Sequence, residues 1–96
     1  MKPSEALRQY RTEIYRIVSE NRSSNPRVFG SVLHGEDTET SDLDLLIDPT
    51  AQTTLMDLAQ IEETLEKLMG IRVEVLTAGF LPESFRNRVL AEAAPV

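Results

Sequence analysis

Apolar residues recur along this chain with two different periods, and the switches between them outline its elements. Leu7, Tyr10, Ile14, Ile17 and Val18 fall at helical spacing, with Arg8, Arg11, Glu13 and Arg16 off that stripe. This predicts an amphipathic helix with Ser4 as its N-cap and Glu5 near its positive end. The polar run from Asn21 to Pro26 ends the helix in a loop, and Arg27-Val28-Phe29 reads as a short strand stopping at Gly30-Ser31. Residues 35 to 41 are almost all polar or small, as in an exposed loop. Leu43 to Asp48 then forms a second strand, closed by Pro49.

A second helix is expected from about Gln52 to Met69, with Leu55, Leu58, Ile61, Leu65, Leu68 and Met69 as its apolar face and Gly70 as its stop. Ile71 to Leu76 alternates as a third strand, Thr77-Ala78-Gly79 turns the chain, and a last helix runs from Leu81 to about Ala93 with Pro82 in its first turn. The fold class expected is therefore α/β: a small three-stranded mixed sheet with helices packed on one face. Alternation puts Leu43, Leu45 and Ile47 on the helix side, and Asp42, Asp44, Leu46 and Asp48 on the other. Val73 and Val75 likewise turn from Glu74. Antiparallel pairing of the first two strands would bring Gly30-Ser31 beside Asp42, so that Gly30, Ser31, Asp42, Asp44 and Glu74 meet at one sheet edge.

Composition narrows the possibilities. The 96 residues suit one domain, residues 1–96, with one core, burying only about 60% of the unfolded chain's surface. If it is an enzyme, a partner is expected to supply part of the substrate site. A formal net charge of −6 argues against direct nucleic-acid binding and suits a basic partner or bound divalent cations. No cysteine is present, which excludes disulfides and thiolate metal sites. No apolar run reaches membrane-spanning length, and Met1 to Glu5 leads into an amphipathic pattern and not a signal-peptide core, so the expected location is the cytoplasm.

The candidate chemistry lies in Gly30-Ser31, a ten-residue interval, and Asp42-Leu43-Asp44. Carboxylates at i and i+2 of a strand project side by side and raise each other's pKa unless a cation intervenes. Mg²⁺ answers that need, because it binds through one or two carboxylates and completes its shell with substrate phosphates. Glu74 could hold a second ion or take the proton of an attacking hydroxyl. At Gly30 the missing side chain lets backbone approach phosphate, and Ser31, at the head of a short helix, could offer hydroxyl and amide. His34 reads either as a phosphate-neutralising residue or as a local backbone cap. Glu36, Asp37 and Glu39 read as a solvated loop, and Tyr10 and Tyr15 as packing or partner contacts.

Val28-Phe29-Gly30-Ser31, then Gly35, then Ser41-Asp42-Leu43-Asp44-Leu45-Leu46-Ile47 resembles the signature of the DNA polymerase β-like nucleotidyltransferase superfamily. The short length and the ending Val73-Glu74-Val75-Leu76 through Pro95 resemble its minimal nucleotidyltransferase branch, the MNT domain antitoxins. The resemblance implies Mg²⁺, in two ions, on Asp42, Asp44 and Glu74 as catalytic carboxylates, and ATP bound at Gly30, Ser31 and Ser41. It also implies a HEPN-domain ribonuclease toxin as partner in a hetero-oligomer, neutralised by transfer of AMP from ATP to a toxin tyrosine as well as by direct binding. The alternative is a non-catalytic antitoxin that acts by complex formation alone. An enzyme acting on an antibiotic or RNA fits less well, since it would need an acceptor-binding domain. The chain departs from the family pattern twice: Glu74 stands where Asp is common, and His34 where Arg often precedes the next Gly.

Overall fold

Strand alternation in the middle of the chain builds the sheet, and helical stripes on either side cover it. The computed structural model describes residues 1–96. In chain order they form α1 (Pro3–Gln9), α2 (Arg11–Glu20), β1 (Ser23–Phe29), β2 (Leu43–Pro49), α3 (Leu55–Met69), β3 (Val73–Leu76), a 3-10 turn (Ala78–Phe80), α4 (Glu83–Glu92) and β4 (Ala94–Pro95). The sheet order is β3-β2-β1-β4, with β1 antiparallel to both β2 and β4, and β2 parallel to β3. The mixed α/β class expected from the sequence stands, with four strands in place of three.

The main core lies on one sheet face. Ile14, Ile17 and Val18 of α2 and Ile61, Leu65 and Met69 of α3 pack onto Leu43, Leu45 and Ile47 of β2 and Val73 and Val75 of β3. Full burial of a Leu or Ile such as Ile61 or Leu65 stabilises the fold by about 1.5–3 kcal/mol. Helices do not cover that face alone. Leu46 points the other way and is buried against Leu81 and Val89, with Phe29, Leu76 and Phe85 around them, so α4 packs on the opposite face. Leu46 was read from alternation as facing away from the core; it nucleates a smaller second one.

Several boundaries moved for identifiable reasons. The first helix divides at Tyr10, whose N–H closes α1 on Ala6 O and whose carbonyl accepts from Ile14 N, each at 2.9 Å. The cap of α1 is Lys2, whose N–H donates to the Glu5 carboxylate at 3.0 Å, with Pro3 opening the helix; Ser4 instead donates its N–H to Asp37 Oδ2 at 2.9 Å. Strand β1 extends back through Asn25-Pro26, because a bulge between Ser24 and Arg27, with Asn25 at φ 53°, absorbs a proline that cannot donate to the ladder. Pro26 O accepts Val96 N–H at 3.0 Å, extending the pairing of β4.

Helix α3 starts at Leu55, after a capping box in which Thr54 Oγ1 accepts from Asp57 N and the Asp57 carboxylate accepts from Thr54 N. Leu55 is thereby turned to solvent, 66% exposed, and Asp57 is buried in its place with a 2.9 Å ion pair to Arg22. On the open edge of the sheet, the outward N–H groups of Val73 and Val75 donate to Glu66 and Glu62 of α3 at 3.0 and 2.7 Å. Those carboxylates cap an edge that would otherwise offer itself to another strand, and they hold the backbone on both sides of Glu74. No helix is long and apolar enough to cross a membrane.

Candidate active site

Register brings the signature together. Phe29, the last residue of β1, pairs with Asp44 of β2, and Asp44 pairs in turn with Glu74 of β3. Asp44 therefore sits in the middle of a three-strand row. Gly30 follows directly at φ +76°, in the left-handed region. A Cβ placed there would overlap Asp44 Oδ2 and lie 3.3 Å from its Cγ. Glycine is thus favoured twice, by its backbone conformation and by the carboxylate laid against it, which an added side chain would push aside. Continued one step past Phe29–Asp44, the register sets Gly30-Ser31 beside Leu43 and Asp42, as expected from antiparallel pairing, and the side chain that fills the space next to Gly30 is that of Asp44.

Burial and like charge act together on Asp44. Its carboxyl is pushed up to about 6, first by burial and then by the negative charges of Glu74 and Asp42. Asp42 stands just before β2, half-buried, with Arg72 Nε 3.8 Å from its Oδ1. Arg72 is largely exposed, so this contact does little to neutralise the row. Glu74 is exposed on β3.

The donor set suits a divalent cation that arrives with phosphate. No group of three or more His, Asp or Glu side chains converges closely enough to cage an ion unaided. Mg²⁺ does not require such a cage, since one or two carboxylates hold it and phosphate oxygens and water complete the shell. The raised carboxyl of Asp44 marks a site with surplus negative charge, which a cation would relieve.

The segment after Gly30 is a series of turns and not the short helix expected at Ser31. His34 N donates to Gly30 O at 3.2 Å and Glu36 N to Ser31 O at 2.9 Å, which folds residues 30–36 into a tight cradle. Ser41 is committed within the following loop, its Oγ accepting from Thr38 N at 2.8 Å. Asp37 is not a free solvated residue. It accepts the Ser4 N–H, a bond that lowers its pKa and ties the loop to α1. His34 neither caps backbone through its ring nor stands free: its Nε2 lies 3.3 Å from Glu92 Oε2. Tyr15 donates its hydroxyl to Val96 O at 2.8 Å, a packing role.

Beside Gly30 opens a cavity of about 490 Å³, lined among others by Phe29, His34, Phe85, Arg88 and Glu92. Its α4 wall was not anticipated from the sequence. A signal was present: Phe85, Arg88, Val89 and Glu92 lie at i, i+3, i+4 and i+7, one helix face that mixes apolar and charged groups.

A glycine turn at a strand end, with a row of carboxylates across neighbouring strands of a mixed sheet, is the arrangement of a fold class that transfers nucleotides. The nucleotidyltransferase domain family model matches residues 8–96, and the chain belongs to that family. It is 30% identical to a candidate protein adenylyltransferase of Methanocaldococcus jannaschii, over 94% of this chain and 97% of that one. It is 38% identical to the protein adenylyltransferase MntA of Thermococcus cleftensis, over 72% and 70% of the two chains. Among solved structures it is similar to a candidate minimal nucleotidyltransferase, with a TM-score of 0.85 at 39% identity, covering 97% of this chain and 95% of that one. A toxin-antitoxin with AMP-PNP shares the fold, with a TM-score of 0.74 at 14% identity over 88% and 69% of the chains.

Proposed function

We propose that this chain is a Mg²⁺-dependent protein adenylyltransferase, the antitoxin of a toxin-antitoxin pair. It transfers AMP from ATP to a tyrosine of a HEPN-type ribonuclease toxin, and binds that toxin in a hetero-oligomer. The observation that carries the reading is the row Gly30–Asp44–Glu74, in which a half-buried carboxyl raised to about 6 lies in the space left by the missing side chain of Gly30. The names of the relatives described above, protein adenylyltransferases and a toxin-antitoxin complex, support the same reading.

In this reading Asp42 and Asp44 hold the metal with the triphosphate, and Glu74 contributes the third carboxylate. Bound there, the metal would neutralise charge on the attacking and leaving oxygens of an in-line displacement. Gly30 N–H and the Ser31 hydroxyl and amide orient the phosphates in the cradle. Ser41, directly before Asp42, is the third nucleotide-binding residue of this reading, its Oγ accepting from Thr38 N within the loop. The tyrosine oxygen of the toxin attacks the α-phosphorus, and its proton passes to a Glu74 carboxylate oxygen. The new O–P bond forms as the bond from the α-phosphorus to the bridging oxygen breaks, releasing pyrophosphate.

A second reading, inhibition by occupancy alone, draws on the His34–Glu92 contact and on the open arrangement of the carboxylates. One experiment separates the two. The intact mass of the co-expressed partner should rise by whole AMP units with the wild-type chain and not with the Asp42→Ala/Asp44→Ala double variant. An unmodified partner that is nonetheless neutralised would overturn the catalytic reading in favour of occupancy.

A further inference from the structure

The cavity beside Gly30 contains a cation that the carboxylate row does not use. Arg88, on the exposed side of α4, lines this cavity together with Gly30 and His34. Its natural intrahelical partner is Glu92, one turn on at i+4. Glu92 instead reaches across the cavity to His34, at 3.3 Å. Arg88 is left with no ion pair and no hydrogen bond. Other arginines are engaged elsewhere: Arg86 donates to Leu81 O at 2.8 Å, Arg27 pairs with Asp48, and Arg72 stands over Asp42.

The economy of charge makes this unusual. The chain carries a net −6, yet an unpaired guanidinium lines the same cavity of about 490 Å³ as Gly30, a volume within the range for small-molecule sites. His34, the other basic side chain lining the cavity, lies 3.3 Å from Glu92. A guanidinium binds phosphate through two parallel N–H bonds and stays charged at every working pH.

We infer that Arg88 binds the β- and γ-phosphates of the nucleoside triphosphate across the cavity from the Gly30-Ser31 cradle, supplying from α4 the positive charge that the cradle itself lacks. Phe29 and Phe85 form the apolar wall behind it. The His34–Glu92 contact keeps Arg88 free for this task by removing its i+4 competitor. The inference rests on the adenylyltransferase reading only in taking ATP as the ligand, and it concerns binding, which is measured without any transfer.

Calorimetric titration of the full chain with ATP, ADP and AMP in the presence of Mg²⁺ tests it. The wild-type chain should bind ATP more tightly than AMP. Arg88→Ala should weaken ATP binding by about ten- to a hundredfold, the range of a charge-assisted pair, and leave AMP binding near the wild-type value. Arg88→Lys should recover part of the loss, which a merely structural role for the side chain would not predict. An ATP-to-AMP preference unchanged in Arg88→Ala, with the variant folded by circular dichroism, would overturn the inference, as would a wild-type chain that binds no ATP. Arg88-dependent ATP binding with no AMP on the partner would leave the inference standing and overturn the proposed transfer. AMP transfer with the same KM for ATP in wild type and Arg88→Ala would do the reverse.

Discussion

Replacing Gly30 by Ala tests the joint between strand pairing and chemistry most directly. Two effects act at that position. The backbone is left-handed, at φ +76°, which costs an L-residue about 1–2 kcal/mol. The added Cβ would also overlap Asp44 Oδ2, so the Asp44 side chain must rotate from its minimum, at about 0.5–1.5 kcal/mol. Gly70 supplies the control. It caps α3 at φ +70°, but a Cβ there meets nothing within 4 Å. Gly70→Ala should therefore show the backbone effect alone, and Gly30→Ala should lose about 0.5–1.5 kcal/mol more in urea unfolding. Function should separate the two further, because a misplacement of about 1 Å at a reacting centre costs about 10²-fold in rate. Transfer of label from α-labelled ATP to the partner should fall by about that factor in Gly30→Ala and remain near wild type in Gly70→Ala. Equal activity in the two variants would refute the idea that Gly30 positions Asp44.

Two further outcomes follow from the same geometry. The folded-state pKa of Asp44 lies at about 6, above its ordinary 3.8, so the native state holds that proton more tightly than the unfolded chain does. The associated stability is fully present below pH 3.8 and lost as pH rises through about 6. Metal-free Asp44→Asn should accordingly be more stable than wild type at pH 7.5, with a difference that narrows as pH falls towards 4; a pH-independent difference would count against a raised Asp44. At the start of α3, Thr54→Ala should lose about 1 kcal/mol in urea unfolding, and Thr54→Ser little, because the hydroxyl closes the capping box with Asp57. A Thr54→Ala variant as stable as wild type would mean that the box is open in solution.

Local periodicity explains why much of this structure was legible in advance. The stripes Ile14-Ile17-Val18 and Ile61-Leu65-Met69, and the alternation through Leu43-Leu45-Ile47 and Val73-Val75, each specify an element and its buried face within a few residues. Gly30, Asp42, Asp44 and Glu74 were legible for the same reason. Strand alternation puts the carboxylates on one face, and one antiparallel pairing brings the glycine to them.

Features that depend on a distant partner were not visible in this way. β4 is two residues, Ala94-Pro95, and is a strand only because the free edge of β1 accepts it. Leu46, on the face turned from the main helices, is buried only because α4 folds back over it. The same return of α4 creates the cavity that places Arg88 opposite Gly30 and draws Glu92 to His34. By itself, then, the sequence determined the helices, the central strands and the acidic row, because periodicity and short pairing are local. Tertiary structure alone decided that the Asp44 side chain fills the space beside Gly30 and that α4 walls the site, because both depend on contacts between segments far apart in the chain.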